Sequence, residues 1–145
     1  MRKPNQPRLI QELAYALSHA ERCVVRQLSP VLETESCTVP QWRILLLLAD
    51  GRGHPMSEMA EFALVPAPSL TRLVDRMATE GLVHRKADLR DRRRVLVHLT
   101  HRGHMLYRRL DERLQEEQRA VLAGADAEAA ERLLGLLDDL VYRLR

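Results

Sequence analysis

Asp88-Leu-Arg-Asp-Arg-Arg-Arg94 runs straight into Val95-Leu-Val-His-Leu-Thr100, and this junction decides how the chain is read. The second piece alternates, with Val95, Val97 and Leu99 on one side, the period of a half-buried strand. Leu82-Val-His-Arg-Lys86 reads as its partner, so the arginines occupy the turn of a β-hairpin. From His84 to Arg94, six cations (Arg85, Lys86, Arg90, Arg92, Arg93, Arg94) oppose Asp88 and Asp91, a net +4. The whole 145-residue chain is only +3, so the hairpin's net charge exceeds that of the entire protein. A compact basic hairpin suits a polyanion, and duplex DNA is the first candidate.

The segments before the hairpin are helical. Thr38 is a good N-cap and Pro40 is tolerated in a first turn, so a helix is expected from Thr38 through Gln41-Trp-Arg43 to about Asp50-Gly51. Gly51-Arg-Gly-His-Pro55 is a loop by composition. Ser57 is expected to cap a short helix from Glu58 to about Ala63. After Leu64-Val-Pro66 a further helix spans roughly Ala67 to Glu80, with Gly81 at the C′ position. Two short helices joined by a brief turn make a helix-turn-helix, and the hairpin that follows makes it winged.

The flanks read differently. Leu9, Leu13, Leu17, Ala20, Val24 and Leu28 mark one buried stripe of an amphipathic helix. Pro4 and Pro7 are expected to keep the leader out of it, and Pro30 to kink or end it. Thr100 caps a long helix from His101 to about Leu122, with Leu106, Leu110 and Leu114 repeating every fourth residue. Gly124-Ala-Asp126 is a break, with Asp126 as N-cap of a last helix from Ala127 to Leu144. That helix carries Leu133, Leu134, Leu136, Leu137, Leu140, Val141 and Leu144. So broad an apolar arc on a terminal helix is more easily buried across a subunit interface than within one protomer.

Composition excludes several classes. Aromatic residues are 3%, too few for stacking platforms that hold single strands. No apolar run approaches the ~18 residues of a membrane span, and no signal peptide is read, so a cytoplasmic protein without membrane association is expected. Cys23 and Cys37 lack metal-ligand spacing and read as ordinary thiols, Cys23 beside the buried stripe. His101 and His104 are three apart, but no carboxylate or thiol joins them at matching spacing, so no metal and no cofactor is expected. Without a nucleophile–base arrangement or a Gly-rich phosphate loop, an enzyme is not expected either.

In the helix from Ala67, Leu70, Leu73, Val74 and Met77 share one face, leaving Ser69, Thr71, Arg72 and Arg76 with Asp75 on the others. Small hydroxyls near a helix start admit close approach to DNA, and an arginine one turn on can reach guanine O6 and N7. Ser69, Thr71, Arg72 and Arg76 are therefore the candidates for reading sequence. In the hairpin, one or two of Arg90, Arg92, Arg93 and Arg94 are expected to enter a minor groove, the others contacting phosphates or fixing Asp88 and Asp91. The competing reading is a protein-interaction module whose basic hairpin binds an acidic protein.

The chain resembles the MarR-type transcription regulators. The resemblance rests on Thr38-Val-Pro-Gln-Trp-Arg-Ile-Leu, Met59-Ala-Glu, Ser69-Leu-Thr-Arg-Leu-Val-Asp-Arg-Met, Glu80-Gly-Leu-Val, Asp88-Leu-Arg-Asp-Arg-Arg and Leu99-Thr-His-Arg-Gly103. It implies a mainly α fold in one domain, residues 1–145: a winged helix-turn-helix lobe over 38–100, with dimerisation helices over 8–32 and 101–145. It further implies a homodimeric repressor on pseudo-palindromic double-stranded operators, relieved by a small aromatic or anionic effector. Tyr15, His19, Trp42 and Arg43 are candidates to line the effector pocket, with core packing the competing role for Trp42. Three departures from the family pattern matter. Pro66-Ala-Pro68 replaces a leading hydroxyl residue and shifts weight to Ser69 and Thr71. Leu89 stands where the wing corner usually has proline. Ala14 stands where the peroxide-sensing branch has its cysteine, so that chemistry is not carried over.

Overall fold

Val31 and Leu32 explain the first departure from expectation. A computed structural model describes residues 6–121 and 127–144, the side chains of Gln6, Pro7 and Val121 excepted. Helix α1 spans Gln6–Glu33, so Pro7 sits in its first turn and Pro30 does not end it. An interior proline costs about 3 kcal/mol. Continuing the helix buries Val31 and Leu32, each worth about 1.5–3 kcal/mol, which offsets that cost. The Ser29 hydroxyl donates to the Val25 carbonyl at 2.8 Å, one residue before the carbonyl that Pro30 leaves without its usual donor. The stripe expected to be buried is instead largely open: Leu9 is 48% and Val24 56% exposed, and Cys23 beside it is exposed.

Helix α2 spans Val39–Leu48 and has a full capping box. The Thr38 amide donates to Gln41 Oε1 at 2.8 Å, and the Gln41 amide donates to Thr38 Oγ1. Gln41 is buried, and this reciprocal bonding satisfies it. Helix α3 covers Met56–Ala63, capped by Pro55 without a side-chain bond. Ser57 therefore lies inside the helix, because the Met59 amide already closes the first turn on the Pro55 carbonyl. Helix α4 covers Ala67–Thr79.

Helices α1, α3 and α4 end in the same way. The amides of Cys37, Val65 and Leu82 reach back to the carbonyls of Leu32, Ala60 and Met77, while Ser36, Leu64 and Gly81 adopt left-handed backbone. Only the last of these has the glycine that announces such an ending in sequence.

Strands β1 (Val83–Ala87) and β2 (Val95–Leu99) pair antiparallel, Val83 opposite Leu99 and Ala87 opposite Val95. Val83, Val97 and Leu99 are buried, whereas Val95, at the open end, is exposed. His54 exchanges both backbone bonds with Val97 and fastens the loop after α2 to the hairpin. The core of this unit gathers Leu32, Ile44, Leu45, Leu48, Met59, Leu70, Val74, Met77, Val97 and Leu110.

Helix α5 spans His101–Val121 and helix α6 Ala127–Leu144. Thr100 caps α5 by accepting from the Gly103 amide, and its hydroxyl donates to the Gly81 carbonyl at 2.6 Å. Leu106 and Leu110 are buried. The chain divides into two compact units, Met1–Asp111 and Glu112–Arg145. No described residue of α6 is buried, and Leu133, Leu134, Leu136 and Val141 are exposed. The expected break at Gly124-Ala-Asp126, with Leu122 before it, lies outside the described residues. Among the described residues no helix is long and apolar enough to cross a membrane.

Candidate nucleic-acid interface

Helix α4 turns Leu70, Val74 and Met77 into the core, which leaves Ser69, Thr71, Arg72, Asp75 and Arg76 exposed. The four expected sequence readers therefore share one solvent face, but they are not equally available. The Thr71 hydroxyl donates to the Ala67 carbonyl at 3.1 Å, and Arg76 Nε donates to Glu80 at 3.0 Å. Arg72 has no acidic partner among the described residues. Asp75 accepts from Arg85 of β1 at 2.6 Å, an ion pair joining α4 to the wing that sequence reasoning missed. Exposed pairs of this kind contribute at most about 1 kcal/mol, so its importance is orientational.

The wing turn is built by its aspartates. Asp88 Oδ1 accepts from the Arg90 amide at 2.9 Å and Asp91 Oδ1 from the Arg93 amide at 3.0 Å. The Asp88 amide donates to the Arg94 carbonyl, closing the hairpin. Asx turns of this kind replace the missing corner proline as the source of turn geometry. They also correct one expectation. The carboxylates serve the backbone, and none of the guanidiniums of Arg90, Arg92, Arg93 or Arg94 pairs with Asp88 or Asp91 among the described residues. All four arginines are exposed, as is Leu89 at 89%. Four like charges so close repel one another, and that repulsion is relieved when a polyanion approaches.

At the wing base, His54 lies between two carboxylates, with Nδ1 2.8 Å from Glu58 and Nε2 2.9 Å from Asp50. Burial opposes charge on the imidazole, but the hydrogen bonds and charges of Glu58 and Asp50 outweigh it and raise its pKa. A raised folded pKa stabilises the fold below the unfolded value of about 6.5, and this contribution is lost as pH rises through the folded value. His54→Gln is therefore expected to cost more stability at pH 6 than at pH 8, measured by urea unfolding at both. Equal costs would contradict the link.

The four expected pocket residues are not brought together as one group. Tyr15 and His19 stack on the exposed surface of α1, ring centroids 6.0 Å apart, and Tyr15 borders a shallow concavity with Arg8, Gln11 and Glu12. Trp42 is buried and stacks on Tyr107 of α5 at 5.5 Å, which makes it a core residue. Arg43 is half-buried and donates to Glu21 of α1 and to the Ala63 carbonyl. Cys37 is buried, and burial, reinforced by the charges of Glu80 and Glu35, pushes its thiol up to about 12, so it is inert as a nucleophile. Among the described residues no group of three or more His, Cys, Asp and Glu side chains could hold a metal ion.

The MarR family model matches residues 37–95, from the cap of α2 to the start of β2. The homoprotocatechuate degradative operon repressor of Escherichia coli is 31% identical over 129 residues, 89% of this chain and 87% of that protein. The HTH-type transcriptional regulator FarR of Neisseria gonorrhoeae is 34% identical over 128 residues, 88% and 85% of the two chains. Among solved structures, NadR in complex with 4-hydroxyphenylacetate superposes with a TM-score of 0.81 at 32% identity, covering 88% of this chain and 91% of that one. With a winged helix-turn-helix in place and likeness along most of its length, the chain belongs to the MarR family of DNA-binding transcriptional regulators.

Proposed function

We propose that the protein is a cytoplasmic, non-enzymatic repressor that binds a pseudo-palindromic operator as a homodimer and is released by a small aromatic acid. The observation that carries this reading is the set of four wing guanidiniums without wing partners, ahead of which α4 presents an exposed polar face. Each protomer lays Ala67–Thr79 in a major groove, where Ser69, Thr71, Arg72 and Arg76 meet base edges and phosphates. The 88–94 turn enters the adjacent minor groove through one or two of its arginines. Two such helices about 34 Å apart match half-sites one helical turn apart. A second copy of the chain covers the exposed apolar residues of α1 and α6, Leu9, Leu13, Leu17, Leu133, Leu134 and Leu136.

The effector class follows from chemistry shared by the relatives. One relative is named for a homoprotocatechuate operon, and NadR binds 4-hydroxyphenylacetate; both are aromatic acids. In this chain Arg43 is the cation suited to such a carboxylate, because its present partner, Glu21, offers the same group. The stacked Tyr15 and His19 rings supply an aromatic surface. Trp42, buried and stacked on Tyr107, serves the core rather than contacting the effector.

An electrophoretic shift with the DNA upstream of the protein's own gene tests this reading. A complex that survives excess unrelated duplex and dissolves on adding 4-hydroxyphenylacetate is expected. Equal affinity for both duplexes would contradict the operator, and a complex indifferent to aromatic acids would contradict the effector class.

A further inference from the structure

The hairpin has two faces of different character. Val83, Arg85, Val97 and Leu99 point to the core and to α4, where Arg85 meets Asp75. His84, Lys86, Leu96 and His98 occupy the opposite, outer face, paired across the strands as His84–His98 and Lys86–Leu96. The outer face is not a plain surface. It forms one wall of a groove of about 420 Å³, whose lining joins Arg52, Lys86 and Arg90 with Ala87, Leu89 and Leu96.

Local structure builds this groove. Gly53 adopts left-handed backbone, and a Cβ there would run into the His98 ring, so only glycine lets the loop lie on that imidazole. That approach brings Arg52 alongside the wing. Asp50 then fixes Arg52 twice, accepting from its amide and from its Nε, each at 2.9 Å. Held by Nε, the guanidinium keeps its Nη groups unbonded among the described residues and remains largely exposed. Lys86 has no ion-pair partner among the described residues, and neither has Arg90. Among the described residues Asp88 is the one carboxylate in the lining, and it accepts from the Arg90 amide. Three cations against that one carboxylate leave the lining at +2, with the Asp50 carboxylate behind Arg52.

We propose that this outer groove is a second phosphate-binding surface, in which Arg52 and Lys86 hold the DNA backbone beyond the half-site that α4 and the wing tip read. The inference rests on the proposed DNA binding and extends it. The outer face looks away from α4, so with the tip in a minor groove the phosphates it meets lie on the far side of that groove. The groove is open, and its lining combines cations with apolar side chains, which suits the alternating phosphates and sugars of a DNA backbone. Its contribution is therefore affinity and footprint length, without sequence preference.

Hydroxyl-radical footprinting of the full-length protein on the DNA upstream of its own gene tests this directly. Arg52→Gln with Lys86→Gln is the main variant. Lys86→Gln alone leaves the Asp50 network untouched and guards against a folding effect. Both variants are expected to keep the central protection and lose the outermost protected sugars on each side. The log–log salt slope of binding is expected to fall by about 1 for each phosphate that is no longer held. An unchanged footprint and slope would overturn the proposal, as would a uniform weakening across the whole site. The absence of any wild-type footprint would overturn the DNA reading itself, and this extension with it.

Discussion

Replacing Gly103 by alanine is expected to destabilise the protein by about 3 kcal/mol, although alanine is the better helix former by about 1 kcal/mol. The cause is the carbonyl of Leu82. Gly103 lies in the first turn of α5, where a Cβ would drive into the Leu82 carbonyl oxygen and crowd the Leu99 side chain. The obstacle is backbone, so it cannot swing aside as a flexible side chain would. That carbonyl also accepts from the Thr100 amide at 3.0 Å and from its hydroxyl at 3.2 Å, while the same hydroxyl caps α5 through the Gly103 amide. The join between the end of α4, the start of the hairpin and the start of α5 is thus one hydrogen-bonded knot that needs a residue without Cβ. A fall in Tm on the order of 10 °C is expected in a circular-dichroism melt. An unchanged Tm would mean that α5 does not press on Leu82.

That knot also shows what the sequence could reveal. Thr100 as a cap and Gly81 as a helix stop are legible, because capping is written in residues a few positions apart. The same holds for Thr38, whose reciprocal partner Gln41, three residues on, is just as local a signal. The Asp88–Arg90 and Asp91–Arg93 spacings are the two-residue signature of Asx turns and belong to the same legible class. Longer-range outcomes are hidden. Pro30 reads as a stop because local rules count the lost hydrogen bond and cannot count the burial of Val31 and Leu32. The α1 stripe has the right period, but a period says that a face is apolar and not what covers it. Arg85 looks like one more wing charge. Its pairing with Asp75 follows only when the register sets it opposite Val97, on the side of α4.

The second large effect is expected at the wing tip. Arg90, Arg92, Arg93 and Arg94 take no part in the hydrogen bonds that build the turn through their side chains, since Asp88 and Asp91 are bonded to backbone amides. Replacing all four by alanine should therefore leave the fold intact while removing the largest concentration of positive charge in the chain. Each neutralised phosphate adds about 0.9 to the slope of log K against log salt. A dimer carries two wings, so releasing two phosphates from each removes about 3.6 from that slope. A tip arginine that reads the minor groove adds about 1–3 kcal/mol of its own. At low salt, where the electrostatic part is greatest, these effects compound into the largest fall in affinity of any substitution at the interface.

The measurement that tests the central claim most directly is the salt dependence of binding to the protein's own upstream DNA, by fluorescence anisotropy, for the wild type and this fourfold variant. A shallower slope for the variant, lower by about 3 or more, together with an unchanged melting temperature, is the predicted result. Identical slopes and affinities in the two proteins would contradict the wing as a DNA-binding element.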